Sequence, residues 1–395
     1  AASGYVVDDP ADPDCVIGGK LTRYDRRTGQ AQNILPVPVQ TEDFRMLRTE
    51  PVVFSPLDPH LLFFAGNTLW QTRDRGDHWE KISPDLSRAN YELPASIGKY
   101  KEDAAKQAHR RGVIYTVAPS PLNANRIWCG TDDGLIHLTT DGGKTWTNVT
   151  PPNVSAWQKI SLIEAGHFDA NTAYAAVNTL RIDDLRPHIF ATRDSGKTWT
   201  EIVNGIPDGQ IVNAVREDPK RKGLLFAGAE RGVYVSFDDG ANWESLRLNL
   251  PASSVRDLII KGDDLAVATH GRGFWILDNI TPLRQFNRPE GGPAPTSSRT
   301  DEAAARPHLH RAGEDVRVGL VHRREDEAGS VLLDQRNHAV LQFTAREALR
   351  VHVRNFLDLQ RRFQRRRVGE AAPDHVEMPL VNDPRGNSAH LLGAL

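Results

Sequence analysis

Four short turn sequences carry the side chains best suited to chemistry. They are Asp132-Asp133-Gly134, the Asp183-Asp184 pair, Glu230-Arg231-Gly232 and His270-Gly271-Arg272-Gly273. Two carboxyl groups across a cleft are what cleavage of a glycosidic bond requires, one neutral to protonate the leaving oxygen and one ionised as its partner. Asp132, Asp133 and Glu230 are the candidate catalytic acids on that ground. Arg231 and Arg272 offer forked guanidinium groups that hold a carboxylate or phosphate through two parallel hydrogen bonds. His270 sits beside a glycine that admits close approach of ligand or backbone, and Asp183 and Trp157 complete the candidate substrate-binding set. Trp157, in PPNVSAWQKI, could stack on a sugar ring or pack between structural units. Asp-Asp-Gly and Glu-Arg-Gly are also ordinary turn formers, so a structural role stands beside the chemical one.

These turns recur because the segments that carry them recur. RIWCGTDDGLIHLTTDGG, LLFAGAERGVYVSFDDG and LLFFAGNTLWQTRDRG each read as strand, turn, strand and second turn. The second turn is one octet spelled four times: TRDRGDHW from residue 72, TTDGGKTW from 139, TRDSGKTW from 192 and SFDDGANW from 236. Its frame is Ser/Thr, Asp, Gly and Trp at fixed offsets. The Asp accepts backbone N–H groups, the Gly supplies positive φ, and the Trp opens the next strand, where it can wedge into a neighbouring unit. The steps between copies are 67, 53 and 44 residues; the last two lie close to the roughly 40–50 residues of a four-stranded propeller blade, and the first exceeds it. The long first step contains a polar insertion over 87–111. A further unit without the octet spans 255–279, and a degenerate one, with YDRRTG in place of the octet, spans 18–34. The expectation is an all-β propeller of six to seven four-stranded blades over 1–285. In such blades the turns between second and third strands share one end with the blade-to-blade links, and the octets lie at the other. The candidate chemical turns would therefore ring one face, on loops held by a rigid scaffold.

The octets, with GTDDGLIH (130–137), VNGIPDG (203–209), AVREDPKRKGLLFAGAERGVYVSFDDG (214–240) and ATHGRGFWILDNITPLRQ (268–285), resemble the Asp-box, or bacterial-neuraminidase, repeats of a bacterial sortilin-like glycosyl-hydrolase family. The family is related to the two-propeller xyloglucanase-type hydrolases, and the resemblance covers residues 16–285. It implies a carbohydrate-directed, glycoside-hydrolase-like protein of the cell exterior, periplasmic or secreted, with a glycan ligand and a second propeller elsewhere. The alternative it implies is a non-catalytic, sortilin-like propeller that binds peptide or protein. Xyloglucanase-type enzymes use paired Asp residues facing each other across two propellers, and no motif places either one here. Sialidases share the repeat but need an arginine triad, a Tyr/Glu pair and an acid Asp, which spacing does not assemble in this chain.

Composition narrows the field further. Formal charge is −2 over 395 residues, so nothing drives the whole chain toward nucleic acid or an anionic membrane. No apolar run reaches the length of a membrane span, and the first residues have neither the basic start nor the apolar stretch of a signal peptide. Without an initiating Met the chain reads as a processed product or fragment. Metal-ligand spacing, phosphate loops and nucleophile elbows are absent from the sequence; no metal site and no cofactor are expected. Cys15 and Cys129 allow one pair at most. Asn148, Asn153 and Asn279 each head a glycosylation sequon. After Phe286 the text changes: a Pro/Gly/Ser-rich linker leads into an Arg/His-rich tail without Trp, Tyr or Lys. The 286–395 segment is expected to be partly helical or disordered, with an amphipathic stretch over 344–367.

Overall fold

The alternating segments fold as strands in a computed structural model that describes residues 5–18, 21–36, 44–47, 49–90, 112–286 and the backbone of 309–311. The chain divides into two units, Ala1–Glu314 and Asp315–Leu395. The second unit, the expected helix over 344–367 and most of the polar insertion lie outside the described residues.

Six four-stranded antiparallel sheets follow one another along the first unit, each built from four consecutive strands. These are blades 1 to 6 of an all-β propeller. Their innermost strands are Val6–Asp9, Val52–Phe54, Ile114–Pro119, Lys159–Ala165, Val212–Glu217 and Val255–Lys261. The degenerate unit over 18–34 and the octet-free unit over 255–279 supply strands of blades 1 and 6. The outer strand of blade 6 comes from Leu309–Arg311, which pairs with Trp275–Leu277, so this sheet draws on chain beyond residue 285.

Second strands such as Leu62–Ala65, Ile127–Thr131 and Ala173–Asn178 are buried along their whole length. A blade interior is covered by a neighbouring blade on each side, which is why these strands read as apolar runs and not as alternation. Small residues permit the close stacking. A Cβ on Gly130 would fall 2.4 Å from Ile160 Cγ2 of the next blade.

Each octet forms the turn between third and fourth strands and joins its blade to the preceding one. In blade 3 the Thr139 hydroxyl donates to Asp141 and accepts the Gly143 N–H, while Asp141 accepts the backbone and hydroxyl of Thr145. These donors hold the Asp141 carboxyl down to about 2, the Thr145 hydroxyl contributing most. The Trp indoles reach backward. Trp79, Trp146, Trp199 and Trp243 donate to the carbonyls of Ile34, Ile82, Val149 and Ile202 at 2.7, 2.9, 2.7 and 2.8 Å. Those four acceptors each lie just past the outer strand of the previous blade. The octet glycine takes positive φ and presses on the same residue: a Cβ on Gly240 would meet Ile202 Cδ1 at 2.3 Å.

Buried apolar clusters seal blade 1 to 2, 2 to 3, 3 to 4, and 4 through 6. Among the described residues no such cluster joins blade 6 to blade 1. Val6 and Ile259, on the two inner strands flanking that seam, are each 53% exposed. Tyr5 nonetheless lies near the axis. Burial and then the charge of Asp257 in blade 6 push its phenol above the ordinary value. Cys15 and Cys129, in blades 1 and 3, are buried free thiols.

Candidate functional site

The turns between second and third strands and the blade-to-blade links share the face opposite the octets, so all eight candidate residues lie on that one face. The structure divides them into an acidic half on blades 3 and 4 and a basic half on blades 5 and 6.

In the acidic half the carboxylates are engaged. Asp132 is buried; one oxygen accepts the Val113 N–H at 2.9 Å and the other takes Arg181 Nη1 and Nη2 at 3.2 and 3.3 Å. Arg181 stands on the single helical turn Leu180–Ile182 of blade 4, so this pair ties the longest turn of the face back to blade 3. Asp133 is also buried. It accepts the Thr131 hydroxyl at 2.5 Å and the Arg88 N–H at 2.9 Å, and Arg88 Nε donates to its carbonyl. Burial pushes the Asp133 carboxyl above its ordinary range despite these donors. The backbone of Gly112 covers it so closely that a Cβ there would fall 1.9 Å from Oδ2. A protonated carboxyl is what a general acid needs, but this one faces the chain. Trp157 is half-buried, with a left-handed φ of 72°. Its link packs on the acidic turn, since a Cβ on Gly134 would lie 2.4 Å from the Ser155 carbonyl. Asp183 caps the helical turn, exposed and left-handed at φ 59°. Asp184 pairs with Arg186 at 2.7 Å and with His188 at 3.2 Å. The Arg186 guanidinium, more than any other group, holds its carboxyl well below the usual range.

In the basic half one arginine that the sequence does not single out links two predicted residues. Arg256 Nη1 lies 3.5 Å from Glu230 Oε1, and its Nη2 lies 3.3 Å from His270 Nδ1. Asn213 Nδ2 also donates to Glu230 at 3.3 Å. Arg231 and Arg272 are exposed; the first uses only its backbone N–H, toward Gln210, and the second only its carbonyl, toward the Trp275 indole.

A second concentration of charge lines the inner strands of blades 4 to 6. Arg216 donates to Glu164 at 2.8 Å, Asp257 at 3.2 Å and the Leu258 carbonyl at 2.9 Å. His167 Nε2 meets the other Glu164 oxygen at 3.0 Å. Burial raises the Glu164 pKa, but Arg216 and His167 outweigh it and leave the carboxyl below its ordinary value. Burial lowers the His167 pKa, but Glu164 outweighs it and leaves the imidazole above its ordinary value. All three donor nitrogens of Arg216 and both oxygens of Glu164 have partners, so the cluster welds strands of blades 4 to 6 together. The signal for it is a charged residue inside each of SLIEAGH, AVRED and VRDLI. Among the described residues no group of three or more His, Cys, Asp and Glu side chains is placed to hold a metal, and no helix is long and apolar enough to cross a membrane.

No protein-family profile matches the chain. A probable oligoxyloglucan-reducing end-specific xyloglucanase of Neosartorya fischeri is 24% identical over 215 residues, which is 52% of this chain and 18% of that protein. The corresponding xyloglucanase of Emericella nidulans is 25% identical over 218 residues, 50% of this chain and 24% of that protein. The chain thus matches about a fifth to a quarter of the length of these curated relatives. Among solved structures, the GH74 xyloglucanase from Xanthomonas campestris superimposes with a TM-score of 0.50 at 19% identity, over 72% of this chain and 45% of that one; this likeness is one of fold. With six four-stranded blades and half its length aligned to these proteins, the chain is a relative of the xyloglucanase-type propellers.

Proposed function

We propose that this chain is a carbohydrate-directed, glycoside-hydrolase-like propeller working outside the cell, which receives its glycan on the face opposite the octets. The observation that carries the reading is the Glu230–Arg256–His270 chain of contacts, which gathers polar groups of two consecutive blades at one accessible place. The distant xyloglucanase relatives support the carbohydrate part. Export follows from the family resemblance. Asp132 and Asp133 serve the shape of the face, since their oxygens are engaged by backbone and arginine. Glu230, with a quarter of its side chain exposed, is the acid that reaches a ligand, and Trp157 and Asp183 border the same face. Recognition therefore leads in this chain, and turnover requires a second accessible carboxyl, a role Asp183 or the second propeller of a longer protein would fill.

Binding and product release by the full chain on a panel of plant and bacterial glycans tests this. Glycan binding that Glu230→Gln weakens by about tenfold or more, with Asp133→Asn acting on stability instead, is the expected outcome. A panel without a single binder refutes the reading.

A second reading, a peptide-binding module without catalysis, is favoured by Leu180 and Leu185. They flank the Asp183-Asp184 pair and are 50% and 51% exposed. Isolated exposed leucines are common, so this reading ranks second. Peptide-display selection that enriches one apolar motif, with loss of binding in Leu185→Ser, would promote it.

A further inference from the structure

The two halves of the upper face differ in how their charges are balanced. On blades 3 and 4 Asp132 pairs with Arg181 and Asp184 with Arg186, while buried Asp133 is taken by the Thr131 hydroxyl and the Arg88 backbone N–H. On blades 5 and 6 the equivalent turns hold Arg231 and Arg272, the inner strand of blade 6 adds Arg256, and the link between the blades adds Arg247. Beside these four arginines the Glu230 carboxylate lies 3.5 Å from Arg256, while Asp257 is taken by Arg216. Arg231, Arg247 and Arg272 are exposed and have no ion-pair partner among the described residues. Arg247 donates through Nε to the Leu250 carbonyl, and its terminal nitrogens stay available.

A neutral sugar placed here would strip water from guanidinium groups and return only hydroxyl acceptors, which costs free energy wherever the replacement is incomplete. A sugar that carries a carboxylate returns two coplanar oxygens matched to the guanidinium fork. Phe274, which follows Gly273 at the head of its strand and is 39% exposed, adds an aromatic surface beside Arg272. We propose that the blade 5 and 6 half of this face binds an acidic glycan of the uronate class, its carboxylates taken by Arg231 and Arg272, with Arg256 held in place by Glu230 and His270. The inference rests on the carbohydrate reading above and narrows it from glycan to carboxylated glycan.

The test uses the full 395-residue chain and three probes: an oligogalacturonate, the same oligosaccharide with every carboxyl methyl-esterified, and dextran sulfate. Titration calorimetry should give the free acid a Kd about tenfold or more below that of the ester, as expected when a charged pair replaces a neutral contact. Added salt should narrow that gap. The double variant Arg231→Gln/Arg272→Gln should lose the preference for the acid over the ester and keep the wild-type unfolding midpoint. Equal binding of acid and ester would overturn the acidic assignment while leaving the carbohydrate reading intact. Tighter binding of dextran sulfate than of oligogalacturonate would overturn it too, as the mark of an unspecific polyanion surface. Failure to bind any of the three, or any glycan of the wider panel, would overturn both readings.

Discussion

The indole N–H of Trp243 in blade 5 donates to the backbone carbonyl of Ile202 in blade 4, at 2.8 Å, and the ring is almost wholly buried where the two sheets meet. Trp243→Phe removes the donor, strands the Ile202 carbonyl and trims the ring, and should cost about 1–3 kcal/mol. Trp243→Ala removes the wedge as well and should cost about 3–5 kcal/mol. Chemical denaturation of both variants checks the two magnitudes. Equal losses would mean that the hydrogen bond, and not the packing, joins the blades.

Gly240 and Gly209 separate two demands on glycine. Both have positive φ, 87° and 80°, but a Cβ on Gly240 would lie 2.3 Å from Ile202 Cδ1, whereas nothing lies within 4 Å of one on Gly209. Gly209→Ala should cost about 1 kcal/mol for the left-handed backbone alone. Gly240→Ala should lose about 1–3 kcal/mol more through overpacking. Urea midpoints of the two variants give the difference directly.

The Arg216–Glu164–His167 network predicts strong coupling. Arg216→Met leaves Glu164 with His167 as its remaining ionic partner at a little-exposed site, which should cost about 3–5 kcal/mol. Adding Glu164→Gln should recover part of that loss, so the double variant is more stable than the sum of the singles implies. A strictly additive double-mutant cycle would show that the pair is not coupled.

His167 gives a pH dependence of known sign. Its folded pKa is raised above the ordinary value by Glu164 against the opposing effect of burial. The stability it contributes is therefore complete below the unfolded histidine value, about 6.5, and fades as pH climbs through the folded pKa. Wild-type unfolding free energy should fall from mildly acidic to mildly alkaline solution, and His167→Gln should flatten that slope. Glu217, which accepts the His167 N–H and whose own carboxyl is pushed up by burial, adds to the same trend from lower pH. An unchanged slope in His167→Gln would assign the dependence to Glu217.

Arg181→Met should free the turn over 178–188 and cost about 1–3 kcal/mol, because the little-exposed Asp132 loses the partner of one oxygen. Limited proteolysis should then cut within that turn while the rest of the propeller stays intact. Resistance equal to wild type would mean that the local backbone holds the turn unaided.

Much of the architecture could be read from the chain because the octet repeats its physics. Thr, Asp, Gly and Trp at fixed offsets make one turn with one set of hydrogen bonds, and four copies at blade-length steps position four sheets. The octet-free unit over 255–279 was also legible as a further blade. Leu309–Arg311 did not, since three residues beyond a Pro/Gly-rich linker carry no period and pair only because Trp275–Leu277 presents an open edge. The candidate acids were legible as positions on one face, but not as chemistry. Asp132 and Glu230 occupy equivalent turns and each meets an arginine of the next blade; what separates them is that Asp132 is buried against the Val113 N–H and Arg181, 49 residues on, whereas Glu230 keeps a quarter of its side chain exposed. Arg256 and Arg216 stayed hidden for the same reason, because a lone charge in an inner strand shows neither its partner nor its orientation until the blades are set around the axis.

The uneven sealing of the ring also has a mechanical meaning. Sheets next to each other in sequence share buried side chains, whereas among the described residues no buried cluster joins first to last, and Val6 and Ile259 on their inner strands are exposed. Assembly can thus proceed by short-range steps from any blade, and only the final annealing spans the length of the propeller. Under heat or tension this molecule should part there like a split washer, spreading at one cut while the rest of the circumference holds.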